Sequence, residues 1–296
     1  MPTGKVVGSL AKFANSEAAR GLALSGPATT YVGLLVVVPL GILVAYSFWT
    51  QTYVSVDKTF TWGNYKEALT DPLVRYLLLQ SIAIAGLVTI STVLMAYPIA
   101  YFIAFRTDNK SLWLLLITIP FWSSYLLRVF SWKLILGFNG VMNSALMGLG
   151  LIDEPLSFLL YNEFAVVLTL GHAWAPFAIL PLYVSLQKVD RSLLEAAADL
   201  GSGPIKSFLR VTLPLTIPGI IAASLIIFIP TVGDYVTPAL VGGSDGKMIA
   251  NLIQVQFGAA NNWPLGATLS LLSMFVVGLV AIGFVLVMRT LGRRIR

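Results

Sequence analysis

Cysteine is absent from the chain, and histidine occurs once, at His172. Without thiols there is no disulfide and no thiolate metal site, and the redox compartment stays open. A single imidazole leaves almost no material for a histidine-rich metal centre or a nucleophile–base pair. Charge is scarce as well: Asp, Glu, Lys and Arg make up 11% of the residues, against about 25% in a soluble domain. Such a chain has little surface to offer water. In place of charge stand hydrophobic residues, 57% of the total, with a mean hydropathy of +0.85. The net charge of +6 (19 − 13) would suit nucleic acid, but its distribution points to a membrane.

A hydrocarbon core about 30 Å thick takes roughly 20 mostly apolar helical residues. Six stretches meet or nearly meet that length: Thr30–Phe48, Leu77–Phe105, Leu112–Leu136, Phe164–Leu186, Leu215–Thr231 and Ala267–Met288. The reading is therefore an all-α membrane protein with six transmembrane helices. Pro120, Pro176, Pro181, Pro218 and Pro230 fall in spans three to five. Each removes a backbone hydrogen bond that lipid cannot replace, so each should face protein or a wet cavity. Spans three and five are the least secure as straight rods.

Lys and Arg set the orientation. With the N-terminus in the cytoplasm, thirteen lie inside and four outside (Lys58, Lys66, Arg75 and Lys247). Arg128 and Lys133 remain near the outer end of span three. Both termini are then cytoplasmic. Residues 1–28 do not read as a cleavable signal, because the apolar run starts late and no small-residue cleavage site follows it. Val6, Leu10 and Phe13 share a face, which suggests a short helix on the inner membrane surface. Without visible repeats, 29–296 reads as a single transmembrane domain.

One polar interruption stands out, "LLEAAADLGSGPIKSFLRVTLPL" at 193–215. Ser192 and Glu195 have the spacing of a capping box. Leu193, Ala197 and Leu200 share a helical face. Gly201 suits the left-handed residue that ends a helix. Pro204 suits the first turn of a second helix, which Pro214 is expected to close. Two short amphipathic helices with a glycine corner result, a knob on the cytoplasmic side. Its apolar face must rest on headgroups, on its own bundle or in a partner's groove.

Glu195, Ala196, Ala197, Gly201, Val211, Leu213 and Pro214 resemble the loop motif of ABC-importer permeases, with Val211 where the family usually has Ile. Longer stretches, among them "IPFWSSYLLRVFSWKLILGFNGVMN" and "LPLTIPGIIAASLIIFIPTVGDYVTPALVGG", resemble the spermidine/putrescine-type permeases, and specifically the subunit usually given first of the pair. The resemblance implies a type I ABC importer permease fold in a bacterial inner membrane. It makes 188–214 the coupling loop, whose helix sits in a groove of the ATPase. The implied partners are a second permease, two ATPase subunits, an external solute-binding protein and the lipid bilayer, with no nucleic acid. ATP and Mg would belong to the ATPase, leaving this chain without catalysis, cofactor or metal. "GGSDGKM" at 242–248 is not a phosphate loop, since Val241 stands at the required glycine and Met248 at the Ser/Thr.

The implied cargo is a small organic solute, a polyamine first, with an opine or another small solute as the alternative. A stand-alone carrier or channel is the competing class, though inverted repeats and midplane charges are not evident. Candidate pathway residues lie toward the outer side. Asp234, near the outer end of span five with Tyr235 and Thr237, could pair with an organic ammonium ion, or could be a helix-end carboxylate. Trp122, Tyr125 and Trp132 could wall the path or act as interfacial anchors. Arg128 could face the path or snorkel. His172 could line the path or bond a carbonyl freed by Pro176, and the carbonyl is the expected partner.

Overall fold

The computed structural model describes residues 17–53 and 55–295; the expected surface helix around Val6, Leu10 and Phe13 lies outside them. Five long helices have the length and hydropathy to cross a membrane, and a sixth crossing is broken. Helix α1 (Glu17–Ser47) leads to a short antiparallel hairpin, β1 (Thr50–Thr52) with β2 (Ser55–Asp57), in which Gln51 pairs with Val56. The all-α reading missed this hairpin. Behind it, the buried Asn64 donates to Ser47 O (2.9 Å) and Trp49 O (2.7 Å), tying the end of α1 to α2 (Gly63–Thr70).

Helix α3 (Pro72–Phe105) starts at Asp71, whose carboxylate accepts from Leu73 N at 2.8 Å, with Pro72 at the first helical position. Such a start satisfies an orphan amide and uses a residue with no N–H to lose. Helix α7 (Glu163–Gln187) starts the same way, Asn162 accepting from Ala165 N at 2.9 Å. With α10 (Leu213–Val232) these two helices form the core, built on Ile84, Val88, Ala100, Leu170, Leu182 and Ile227. Lipid is as apolar as leucine, so helices in a membrane associate by close packing, which small residues permit. Gly219 on α10 lies so close to Ser185 on α7 that any Cβ there would collide with it. By contrast, the most apolar window of α1 is 0% buried and that of α13 (Trp263–Ile295) 6%. These two helices are peripheral and show their apolar sides outward.

Span three, one of the two least secure as straight rods, is broken. Helix α4 (Lys110–Thr118) passes into a tight turn at Ile119–Trp122, and the chain restarts as α5 (Tyr125–Leu136) and α6 (Val141–Gly148). The two halves meet at 87°. Ser123 and Ser124 are extended (ψ 149° and 136°), and the turn closes on Pro120 O, which accepts Ser123 Oγ at 2.6 Å. The remaining elements follow in order: α8 (Arg191–Asp199), α9 (Pro204–Ser207), then, beyond α10, α11 (Val236–Val241) and α12 (Ile249–Phe257).

Candidate coupling loop and solute pathway

The polar interruption folds as α8, a glycine corner and α9. Asp190, not Ser192, caps α8: its Oδ1 accepts Ser192 N at 3.0 Å. The helix starts earlier than the capping-box reading has it, because an aspartate immediately before Arg191 takes the role first. That backbone bond, with Ser192's side chain, holds the Asp190 carboxyl below the usual carboxylate range. Gly201 has φ +76° with open space around it, and Gly201 N and Ser202 N return to Ala198 O and Ala197 O (2.8 and 2.9 Å). A left-handed residue with such backbonds ends a helix, and glycine takes that conformation without the Cβ clash.

Pro204 is at the first position of α9, as expected. Pro214 does not close a second helix. The chain runs from Pro204 to Val232 as one span, through a π-helical segment at Phe208–Thr212 where Leu213 N bonds Phe208 O. Pro214 has no N–H for the carbonyl of Arg210, and its ring would crowd that oxygen. A one-residue widening relieves the clash without ending the helix.

The motif therefore divides. Glu195, Ala196 and Gly201 are exposed and Ala197 half-exposed, while Val211 and Leu213 are half-buried and Pro214 buried. Leu200 and Ile205 are 86% and 75% exposed, an apolar tip with no cover. The root is held: Phe208 packs edge-on against Tyr97 and near Tyr101 (5.6 and 6.1 Å between centroids), and Tyr97 OH lies 2.7 Å from Thr216 Oγ1. The tip is bare and the root is fixed.

At the other end of α10, Asp234 follows the helix end at Gly233. Its Oδ2 accepts from Tyr125 OH at 2.5 Å and its Oδ1 from Val236 N at 2.9 Å. Tyr125 OH also lies 2.5 Å from the buried Thr237 Oγ1. Since the phenol's single proton goes to the carboxylate, Thr237 donates to the phenol. Asp234, Tyr125 and Thr237 thus join the restart of span three to the loop after span five. Tyr235 is half-exposed beside them, its carbonyl accepting from Asn251 Nδ2 at 2.8 Å.

Tyr125, Arg128 and Trp132 share a face of α5 by their spacing. Arg128 Nη1 donates to Pro120 O at 3.2 Å, holding the broken turn, while its Nε is buried without a partner among the described residues. Trp132 Nε1 donates to His172 Nδ1 at 3.2 Å. This replaces the carbonyl expected for His172: the ring accepts from an indole on a neighbouring helix. Trp122 is 85% exposed and stands apart from this cluster. Trp174, 6.5 Å from the Tyr125 ring, belongs to it and was missed. Its tie to position 125 crosses about fifty residues of sequence, which no local pattern carries. The "GGSDGKM" stretch is a structural turn, Gly246 N bonding Gly242 O at 2.8 Å and Gly243 at φ +62° pressed on Tyr161.

Five long apolar helices and a broken sixth crossing, with an exposed knob at one end of α10 and a polar cluster at the other, define a multi-pass membrane protein. The chain matches the family described as binding-protein-dependent transport system inner membrane component over residues 78–296, and it belongs to that family. It is an ABC importer permease of the bacterial inner membrane. Among its relatives, spermidine/putrescine transport system permease protein PotB of Escherichia coli K12 is 36% identical over 271 residues, 90% of this chain and 98% of that protein. The inner membrane ABC transporter permease protein YdcU of the same strain is 35% identical over 239 residues, 76% and 75% of the two chains. A bacterial ABC transporter involved in import of the acidic polysaccharide alginate shares the fold, with a TM-score of 0.68 at 15% identity over 94% of this chain and 99% of that one.

Proposed function

We propose that this chain is one of two permease subunits through which an ATP-driven importer passes a small organic cation, a polyamine first among candidates. The observation that carries the mechanical half is the bare tip of the knob, with Leu200 and Ile205 exposed, on a root locked to α3 through Phe208. In this reading Glu195, Ala196, Ala197 and Gly201 form the surface received by a separate ATPase, while Leu213 and Pro214 join it to the span. ATP and Mg are held by that partner, two copies of it, with no catalytic step in this chain. The loop lies in the cytoplasm, and closure of the ATPase pair drives α10 from the inward-facing toward the outward-facing state. Solute arrives from an external binding protein and moves between this chain and a second, similar permease.

The cargo assignment draws on the names of the PotB relatives and on Asp234. Its hydrogen-bond partners, Tyr125, Val236 N and Thr237 N, are all neutral donors. They orient the carboxylate without cancelling its charge, and Tyr125 and Tyr235 stand beside it as aromatic surfaces for an ammonium ion. The solute-binding protein does most of the selecting.

Gly201→Asp tests the coupling half. Aspartate is among the side chains least penalised at positive φ, and nothing crowds the site, so the protein should insert normally. Its carboxylate would sit at the docking corner. Uptake and co-purification of the ATPase should both be lost, and normal uptake with that variant would overturn the coupling role.

A further inference from the structure

Where the ends of α3 and α7 meet the starts of α4 and α8 lies a cavity of about 400 Å³, lined by Ala104, Phe105, Lys110, Gln187, Val189 and Arg191. From the concurrence of Lys110 and Arg191 in this cavity, we infer that it holds the phosphodiester headgroup of an anionic phospholipid beside the coupling helix.

The two basic side chains come from different helices and converge on one concave, mostly polar site, with Gln187 beside them and Ala104, Phe105 and Val189 completing the wall. The acids nearest in sequence, Asp108 beside Lys110 and Asp190 beside Arg191, are not among the residues that line the cavity. A basic pocket between transmembrane helices at the headgroup level is the usual setting for an anionic lipid head. The volume is that of about a dozen waters at roughly 30 Å³ each, room for a headgroup. What selects a lipid over a free phosphate is the surface beside the pocket. Phe102 and Trp113 flank the same helix junction as an exposed aromatic pair, rings edge-to-face at 5.3 Å, with Leu112 also exposed. Acyl chains have an apolar wall to follow there, and an inorganic ion gains nothing from it. Arg191 is the first residue of α8, so a bound headgroup would tie the root of the knob to the bilayer. The lipid then becomes part of the lever's footing. This site is separate from the Asp234 cluster and independent of which solute is carried.

The test is native mass spectrometry of the full chain purified in detergent, titrated with phosphatidylglycerol and, separately, with phosphatidylcholine of the same acyl chains. Wild type should bind phosphatidylglycerol in preference. Lys110→Gln with Arg191→Gln should weaken that binding by about 25-fold, each basic group at an anionic lipid surface contributing about a factor of five. The exchange Lys110→Arg with Arg191→Lys should retain it and shows that the fold survives substitution there. Equal binding of the two lipids by wild type, undiminished phosphatidylglycerol binding in the Gln pair, or displacement of the lipid by millimolar inorganic phosphate would each overturn the inference.

Discussion

Tyr125 gives its proton to Asp234 and receives one from Thr237, so its hydroxyl is both a structural tie and a neighbour of the charge. The two roles separate by mutation. Tyr125→Phe removes the tie and leaves the fully buried Thr237 hydroxyl without its partner, a loss of about 1–3 kcal/mol for an unsatisfied buried group. Asp234→Asn removes the charge and keeps the shape and one acceptor oxygen for Val236 N, while its amide can donate to Tyr125, whose own proton then turns to Thr237. The expected pattern is a lower melting temperature with residual spermidine uptake for Tyr125→Phe, and near-native melting with strongly reduced spermidine uptake for Asp234→Asn. Thermal unfolding of the purified chain and uptake into proteoliposomes with the partner subunits measure the two. Unchanged spermidine uptake in Asp234→Asn removes the residue-level reason for a cationic cargo.

At the scale of elements, the legible features were those written within one turn of helix. The apolar stretches, the glycine at the corner and the proline opening α9 all act through their own backbone, and all stand where the sequence places them, with span three broken at its proline. What misled was competition between equally local signals. Asp190 and Ser192 both can cap a helix, and the earlier residue prevailed. Pro214 can end a helix or widen it, and the choice depends on whether the preceding turn is already packed, as Phe208 is against Tyr97 and Tyr101. The cluster around Tyr125 was legible as residue types but not as partners, since 109 residues separate it from Asp234. The π segment offers a prediction here. Pro214→Ala restores an N–H that can bond Arg210 O, so an ordinary α-helix becomes possible. Removing one residue of widening turns the knob by roughly 100° about the span. Spin labels on Leu200→Cys and Ile226→Cys, both at exposed positions, should then differ in separation by on the order of 5 Å from the proline-containing protein, given a helix 10–12 Å across. Uptake should fall with it. An unaltered distance would mean that packing, not Pro214, holds the π segment.

For the whole molecule, orientation is the property on which the proposed lever and the proposed pathway both depend, and charge is the force that sets it. Moving a basic loop across the membrane is disfavoured, so Lys and Arg collect on the side where they were made. The knob end carries Arg106, Lys110, Lys188, Arg191, Lys206 and Arg210, while the hairpin end carries Lys58, Lys66 and Arg75. That asymmetry predicts the knob in the cytoplasm and the hairpin outside. The lack of cysteine makes the measurement clean, because any thiol is one that has been introduced. Lys206→Cys on α9 and Thr59→Cys after β2 are both at exposed positions. In intact spheroplasts a membrane-impermeant maleimide should label the Thr59→Cys variant at once and the Lys206→Cys variant only after lysis. The reverse order would put the coupling surface out of reach of any cytoplasmic ATPase. Equal labelling of both variants in sealed spheroplasts would mean mixed orientation, in which case thirteen basic residues against four fail to settle the topology. The first outcome is the one that places Asp234, at the far end of α10 from the knob, where a solute delivered from outside would meet it.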